Sequence, residues 1–351
     1  MIDYAALIAR VAAARVPDPR MAVFDIQVEE RAGGLVLFGE ATDPAAVEEL
    51  VALLAAETGR EVADEVIRLP DPSLGAAAHG LIRAAIAPVH GEPRVSAPQV
   101  SQYVLGHRVE LLSRRDAWWR VRGEDGYLGW VHHGYVQVGE AAWAQAWERG
   151  EGGEPVVSLG AELVDEEGRP FARLPWGARV IRDLPGRYRI PDGRRGELGS
   201  GELVDADRLA DRFPPRGESV VRTARRWLGT PYLWGGVSLA GADCSGFVQS
   251  VFWMHGIALP RDSDQQARVG AMILEGPGEG DRLDELRPGD LLFFEEHPGR
   301  VTHVAISLGG SQIIHSALSN GGVGVNDLNG TLDAERRLRS ILVRARRLLP
   351  D

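Results

Sequence analysis

A chain of 351 residues is too long for a single hydrophobic core, so we expect about two to four domains. With 44% hydrophobic and 25% charged residues, it has the composition of a globular protein and not of a disordered or fibrous chain. Its net charge of −11 argues against nucleic acid as a general partner, because phosphate binding needs a basic surface.

The sequence contains no run that approaches the roughly 18 apolar residues of a membrane span, so we expect no span. The opening stretch MIDYAALIARVAAARVPDP lacks both a basic leader and a clear small-residue cleavage site. We therefore expect no signal peptide and a cytoplasmic location. The only cysteine, Cys244, fits a reducing compartment, although a periplasmic or envelope location stays open for a chain whose leader has been removed.

Residues 1–75 predict a small α/β domain. AVFDIQVEE and LVLFGEA indicate a hairpin, Asp43 and Pro44 predict the start of an amphipathic helix, and EVADEVIRL predicts a third strand. This order resembles the BON domain of bacterial envelope proteins; a packing domain of no assigned role is the alternative. The segment contains no plausible nucleophile, base or ligand cluster, so we expect it to be dispensable for chemistry.

Residues 80–142 are rich in short strands, with spaced aromatic side chains and turns at Gly106 and Gly126. The stretch from AWWRV to DGYLGWV resembles bacterial SH3-like domains. Residues 155–210 repeat this pattern of short strands and turns in a weaker form, which predicts a degenerate second SH3-like barrel.

Residues 216–351 contain the residues that could carry out chemistry. A helix is predicted with Val220, Ala224 and Leu228 on its apolar face and its end at Gly229. The stretch ADCSGFVQSVFWMHG then predicts a second helix, whose first turn contains Cys244 and whose buried stripe comprises Phe247, Val248, Val251 and Phe252.

The position of Cys244 at a helix start favours a thiolate, the nucleophilic form, because free backbone N–H groups and the positive end of the helix dipole face it. An inert buried thiol is the alternative, and it is the common one for a lone cysteine. A thiolate nucleophile needs a base, and the sequence offers nine histidines.

Two of these histidines lie in a paired pattern, VTHVAISLGGSQIIHSA, which predicts two strands of a hairpin. A loop over residues 309–311 places His315 opposite Ala305 and diagonal to His303, on the same face of the sheet. A two-residue loop would turn His315 to the other face. A base oriented by a second polar ring is the geometry of a Cys-His-X triad, whereas two histidines on a solvated sheet face are the alternative.

Several motifs occur in the order and spacing of the NlpC/p60 cysteine peptidase family: TPYLWGG, ADCSGFV, LPRDSDQQ, LRPGDLLFF, THVAI and IIHSA. With the first SH3-like region, the chain resembles the YkfC-like γ-D-glutamyl-L-diamino acid endopeptidases. The resemblance implies a papain-like core with Cys244 as nucleophile, His303 as general base and His315 as the third polar residue. It also implies that Tyr232 assists the oxyanion, and it implies no metal and no cofactor.

The same resemblance implies a substrate pocket that accepts murein (peptidoglycan) stem peptides with a free N-terminal L-Ala. Tyr127 would form a wall of that pocket, and Asp243 and Glu92 would receive the ammonium group. A buried carboxylate is costly unless a charge answers it, which makes an ammonium a sensible partner. Glu92 as a surface residue and Tyr127 as barrel core are the alternatives.

Ser245 and Ser263 would bind the D-glutamate portion of the peptide by the same resemblance. Asp262 and Ser263 also predict a helix N-cap, with Gln266 completing a capping box, a structural role that is compatible with substrate binding by Asp262.

The sequence as a whole predicts a multidomain α+β protein: a papain-like NlpC/p60 domain, preceded by two small SH3-like β-barrels and a small BON-like α/β domain. The implied activity is hydrolysis of the γ-D-glutamyl–L-diamino acid bond in cell-wall peptide recycling. A wall-remodelling hydrolase, a non-catalytic wall-binding protein, and a thiol acyltransferase or amidase on another amide stay open.

Overall fold

The computed structural model describes residues 2–31, 33–276 and 282–350, and four units follow one another along the chain. Among the described residues, no helix combines the length and the apolar character needed to cross a bilayer.

The N-terminal unit is a three-stranded sheet covered by two helices. Its elements are α1 (Tyr4–Arg15), β1 (Phe24–Arg31), β2 (Gly34–Ala41), α2 (Pro44–Thr58) and β3 (Glu61–Arg68). The strands lie in the order β1-β2-β3, with the first pair antiparallel and the second parallel. Asp43 caps α2 and Pro44 is its first residue, which confirms the predicted helix start. Helix α1 was not predicted, and the likeness to a BON domain stays a prediction.

The second unit is a seven-stranded antiparallel sheet followed by a helix. Its elements are β4 (His79–Ile82), β5 (Ile86–His90), β6 (Gln99–Val104), β7 (Arg108–Arg115), β8 (Trp118–Gly123), β9 (Leu128–His132), β10 (Val136–Gly139) and α3 (Ala141–Glu148). The strands are ordered β10-β4-β7-β8-β9-β5-β6. Gly106 and Gly126 adopt the left-handed backbone conformation that the predicted turns require.

The third unit is a five-stranded antiparallel sheet that closes on itself, because its first strand pairs with both β13 and β15. Its elements are β11 (Glu154–Val164), β12 (Pro170–Leu174), β13 (Arg179–Leu184), β14 (Arg187–Arg189) and β15 (Arg195–Asp205). Its assignment as a second SH3-like barrel stays a prediction.

The C-terminal unit packs helices against a six-stranded antiparallel sheet. Its elements are α4 (Leu209–Arg212), α5 (Gly217–Arg225), β16 (Val237–Ser238), β17 (Gly241–Ala242), α6 (Cys244–Met254), α7 (Ser263–Gln266), β18 (Ala271–Glu275), β19 (Leu291–Phe294), β20 (His303–Gly309), β21 (Gln312–Ala317), β22 (Gly322–Asp327), α8 (Asp333–Ile341) and β23 (Leu342–Arg347). The order β18-β23-β19-β20-β21-β22 brings β20 and β21 under α6.

The prediction for α5 is wrong at the C-terminal end of the helix. The helix stops at Arg225 rather than Gly229, and Leu228 is exposed while Trp227 is fully buried. The tighter turn after α5 rotates position 228 out of the helical periodicity, so Trp227 packs edge-on against Phe247 of α6. The stripe of α6 is as predicted, with Phe247, Val248, Val251 and Phe252 all fully buried.

The units contact one another in ways that bear on the site. Between the first and second units, Glu40 accepts from Arg120 at 2.8 Å, and a small apolar cluster joins Val23 and Leu69 to Leu112 and Leu128. The second and third units share the ion pair of Glu124 with Arg179, and Trp176 of the third unit packs against Trp227.

Candidate active site

Cys244 is the first residue of α6, as predicted. Asp243 is the N-cap, and its Oδ1 accepts the backbone N–H of Gly246 at 2.7 Å. Gly246 has no room for a side chain, because a Cβ atom would lie 2.1 Å from the carbonyl oxygen of Gly236. The thiol is therefore held at a tightly packed helix start, 8% exposed.

His303 and His315 meet across the hairpin of β20 and β21. Ile306 pairs with Ile314 and Ser307 with Ile313, which is the predicted register. The predicted loop over residues 309–311 is wrong, because Gly309 pairs with Gln312 and leaves a two-residue loop; a bulge between Ser307 and Gly309 keeps His315 on the same face as His303. His303 Nε2 lies 2.6 Å from His315 Nδ1, and the two rings are nearly perpendicular at 73°. The predicted pairing of the two histidines is confirmed.

The hydrogen-bonded chain continues beyond His315 to residues that the sequence analysis missed. His315 Nε2 lies 2.8 Å from Asn326 Oδ1, and Asn320 Nδ2 donates to the same oxygen at 2.8 Å. His315 lies opposite Gly324, so Asn326 is its diagonal neighbour on β22. Asn326 could have been predicted in the same way as His303, as a diagonal neighbour of His315 on the adjacent strand. That prediction requires the register of β21 with β22, and no loop motif in the sequence determined it.

The Asn326 amide presents its oxygen to His315. Asn320 Nδ2 donates to that same atom, and only an amide oxygen can accept such a bond. The nearby Glu335 carboxylate accepts the backbone N–H groups of Asp327 and Leu332, each at 3.1 Å, and these two bonds lower its pKa, with a smaller contribution from Asn326.

This polarity fixes the tautomers of both rings. The Asn326 oxygen only accepts, so His315 carries its proton on Nε2 and presents a bare Nδ1. That bare nitrogen accepts from His303 Nε2–H, which leaves His303 Nδ1 unprotonated. An imidazole in this state can act as a general base.

Burial shifts the pKa values of both the thiol and the imidazole toward their neutral forms. Burial raises the pKa of Cys244 to about 12, with Asp243 acting in the same direction and the backbone N–H groups of Val304 and Ser245 opposing it. Burial, followed by His315, lowers the pKa of His303 to about 3. Burial therefore acts against the thiolate that the helix start favours, and the expected thiolate stays a prediction.

Asp243 forms a buried ion pair that the sequence analysis did not anticipate. Arg261 donates to both of its oxygens, at 2.7 and 3.1 Å, and also to Ser245 Oγ at 2.9 Å and to Ser101 Oγ at 3.0 Å. Arg261 therefore balances the charge of Asp243 within the chain, so the burial of this carboxylate does not by itself call for a substrate ammonium, and its role in receiving one stays a prediction. The signal was present in LPRDSDQQ, where Arg261 precedes Asp262.

Tyr232 lies beside the thiol. It forms an isolated bridge with Ala242, two residues before Cys244. Burial raises the pKa of its hydroxyl, and the charges of Cys244 and Asp243 contribute to that rise.

Asp262 is the N-cap of α7, as predicted, but Gln265 rather than Gln266 completes the capping box. Gln265 is the third residue of the helix, which is the position from which a side chain reaches back to the N-cap. Gln266 instead donates to the carbonyl oxygens of Ser245 and Pro260. Ser263, the first residue of the helix, is buried.

Tyr127 reaches this helix from the second unit, and Glu92 does not. The Tyr127 hydroxyl donates to Asp262 Oδ2 at 3.0 Å, and the residue is buried. Glu92 is exposed and pairs with Arg94 of its own loop at 2.9 Å. Among the described residues, no group of three or more His, Cys, Asp or Glu side chains could hold a metal ion.

The N-terminal unit also contacts this region, through Arg20. Its guanidinium donates to Asp262 Oδ2 at 2.8 Å and to Asp264. The N-terminal unit therefore lies next to the site, and the expectation that it is dispensable for chemistry stays a prediction.

Two family models match this chain. The NlpC/P60 family matches residues 229–341, which include the thiol, both histidines and Asn326, and the bacterial SH3 domain matches residues 87–137 of the second unit. The chain carries an NlpC/P60 cysteine peptidase domain.

Relatives of known name extend the likeness beyond the NlpC/P60 domain. The chain is 26% identical over 263 residues to a γ-D-glutamyl-L-lysine dipeptidyl-peptidase of Bacillus cereus, which covers 65% of this chain and 70% of that protein. It is 29% identical over 273 residues to dipeptidyl-peptidase 6 of Lysinibacillus sphaericus, covering 72% and 92%.

The solved structure of an NlpC/P60 family protein from Bacillus cereus has the same fold. It superposes with a TM-score of 0.63 at 24% identity and covers 78% of this chain and all of that one. The shared fold therefore extends well beyond the NlpC/P60 domain, which accounts for about a third of the residues.

Proposed function

We propose that this chain is an endopeptidase that hydrolyses the γ-D-glutamyl–L-diamino acid bond of murein stem peptides with a free N-terminal L-Ala. The observation that carries the proposal is the chain of hydrogen bonds from Asn326 through His315 to His303, which leaves an unprotonated base in the same domain as the thiol at the start of α6. The similarity to γ-D-glutamyl-L-lysine dipeptidyl-peptidase supports the choice of bond.

In the first half of the reaction, His303 Nδ1 takes the proton of the Cys244 thiol as the sulfur attacks the γ-carbonyl carbon of D-glutamate. The general base is required because the resting thiol is neutral. The backbone N–H of Cys244 and the Tyr232 hydroxyl stabilise the oxyanion. The tetrahedral intermediate then collapses, the C–N bond breaks, and His303 returns the proton to the leaving amine of the diamino acid.

In the second half, His303 removes a proton from water, which attacks the thioester carbon. The C–S bond breaks, and the proton returns to the Cys244 sulfur. The products are L-Ala-D-Glu and a free diamino acid or the peptide that begins with it. His303 accepts one proton in each half of the reaction and returns it within the same half.

A surplus of negative charge supports recognition of an ammonium group at one end of the cleft. The carboxylates near Tyr127 outnumber the guanidinium groups that pair with them: Asp18, Asp243, Asp262 and Asp264 against Arg20, Arg261 and the exposed Arg268. In this proposal Tyr127, held by its bond to Asp262, is the wall at that end of the cleft and limits the space for an acyl group on the substrate nitrogen. Such an enzyme would act on released peptides in recycling.

The test compares kcat/KM for L-Ala-γ-D-Glu-L-Lys and its N-acetylated form, with fragment masses identifying the bond. We expect the free peptide to be cut and the acetylated one to be at least tenfold poorer, because an unanswered charge-assisted hydrogen bond costs about 1.5–3 kcal/mol. Cys244→Ala should abolish cleavage and retain the circular dichroism spectrum of the wild type. Comparable cleavage of both peptides would instead favour a wall-remodelling hydrolase, and turnover by Cys244→Ala would remove the mechanism.

A further inference from the structure

The segment between α1 and β1, residues 18–21, lies against both the second unit and the NlpC/P60 domain; we call it the N-terminal strap. The carbonyl oxygen of Arg20 accepts the backbone N–H of Leu128 at 2.8 Å. Met21 packs at Gly126, where a Cβ atom would come within 2.8 Å of its Cε. The strap therefore contacts the residues on both sides of Tyr127.

The side chain of Arg20 is fully engaged with carboxylates of the NlpC/P60 domain. Nη1 donates to Asp262 Oδ2 at 2.8 Å and to Asp264 Oδ1 at 2.7 Å, and Nη2 donates to Asp264 Oδ2 at 2.8 Å. Asp18 of the same strap accepts from Arg20 and also from Gln265 at 2.8 Å. The planar guanidinium thus holds the start of α7 by several bonds of fixed direction.

Arg20 and Tyr127 share one acceptor atom. The Tyr127 hydroxyl donates to the same Asp262 Oδ2 that Arg20 contacts. The guanidinium therefore fixes the rotamer of Asp262, and Asp262 in turn fixes the hydroxyl end of Tyr127. This couples the N-terminal unit to the wall that would enclose the N-terminal residue of the peptide.

We propose that Arg20 is a positioning residue for substrate selection, which makes the N-terminal unit part of the specificity pocket. The inference rests on the proposed function, since it takes the pocket at Tyr127 as the site of the free L-Ala. Arg20 acts through Asp262 and Tyr127 on substrate binding and has no part in proton transfer at Cys244.

Docking of the N-terminal unit does not require Arg20. Glu40 is only 13% exposed in its side chain and pairs with Arg120, and the apolar cluster of Val23, Leu69, Leu112 and Leu128 is buried between the two units. Loss of the Arg20 side chain should therefore leave the N-terminal unit docked and affect only the strap, Asp262 and Tyr127.

The experiment measures kcat and KM for L-Ala-γ-D-Glu-L-Lys with wild type, Arg20→Met, Arg20→Lys and two controls. Arg15→Met removes an arginine that pairs with Glu49 inside the N-terminal unit, and Glu40→Ala weakens the docking interface away from the strap. We expect Arg20→Met to raise KM about tenfold with kcat within twofold, Arg20→Lys to recover part of the loss, and both controls to match the wild type. The preference over the N-acetylated peptide should fall about tenfold in Arg20→Met.

An unchanged KM in Arg20→Met would overturn the inference, as would an equal rise in Glu40→Ala, which would assign the effect to docking. A binding measurement tests the inference separately from the proposed function. By calorimetry, the double variant Cys244→Ala with Arg20→Met should bind the tripeptide with a Kd about tenfold weaker than that of Cys244→Ala alone. If the wild type binds but does not cut this peptide, the proposed function fails and the Kd comparison still decides for or against Arg20. If the tripeptide does not bind, both are wrong.

Discussion

Asn326 is the residue at which the proposed tautomer chain is most directly tested, because its side chain contacts neither the thiol nor His303 in the structure. In Asn326→Leu, the N–H at His315 Nε2 loses its acceptor. Asn320 Nδ2 lies 3.2 Å from the same nitrogen, so it can donate there once Nε2 is bare. The alternative tautomer, with the proton on His315 Nδ1, is then favoured, and His303 becomes protonated on Nδ1 and can no longer act as a base.

The size of the effect follows from the energy of the lost bond. A buried donor without a partner costs about 1–3 kcal/mol, and His315 is fully buried. At about 1.36 kcal/mol for each factor of ten, the fraction of enzyme with the productive tautomer falls by roughly 5- to 150-fold. Because Asn326 is buried and reaches His303 only through His315, we expect kcat to fall by that factor while KM stays within about twofold.

The assay combines steady-state kinetics with 15N chemical shifts of the imidazole nitrogens, which report the tautomer of each ring. Asn326→Asp is the matched variant, since a carboxylate oxygen also accepts from His315 Nε2–H. We expect it to retain most of kcat, with some loss of stability where it faces Glu335.

Two results would refute the reasoning. One is a wild-type kcat in Asn326→Leu, which would mean that the tautomer does not depend on this amide. The other is a fall in kcat with unchanged 15N shifts, which would assign Asn326 a merely structural role.

Three further changes follow from the packing around the site. Burial lowers the pKa of His107 in the folded protein to about 4, so between pH 6.5 and 4 the unfolded chain binds one more proton than the folded chain. The free energy of unfolding of the wild type should therefore be about 2 kcal/mol lower at pH 5 than at neutral pH, and His107→Gln should lose this part of the pH dependence. Equal slopes in urea titrations of both proteins would contradict this. Gly246→Ala should lower kcat/KM by about a hundredfold or more, because its Cβ would clash with the Gly236 carbonyl; wild-type kinetics would show that the helix start yields easily. Arg261→Met leaves Asp243 buried and unpaired, so unfolding free energy should drop by about 3–5 kcal/mol, and a drop below about 1 kcal/mol would mean that solvent reaches the carboxylate.

The sequence was sufficient wherever the determinants are local. Asp243 with Cys244 and Gly246 define a helix start through an N-cap and a close backbone approach, and neither depends on distant residues. The hairpin of β20 and β21 is also local, and its histidine pairing was predicted, although a bulge between Ser307 and Gly309 sets the register together with a two-residue loop.

Only the tertiary structure decided what surrounds these residues. Arg261 meets Ser101 across 160 positions of sequence and Arg20 meets Asp264 across 244, and no local pattern encodes such contacts. The sequence could not predict the direction in which the pKa of Cys244 is shifted. A helix start favours the thiolate and lowers the pKa, whereas burial of the thiol raises it. Burial is a property of the packed units, so the sequence could place Cys244 at a helix start, while only the fold showed the burial that raises its pKa.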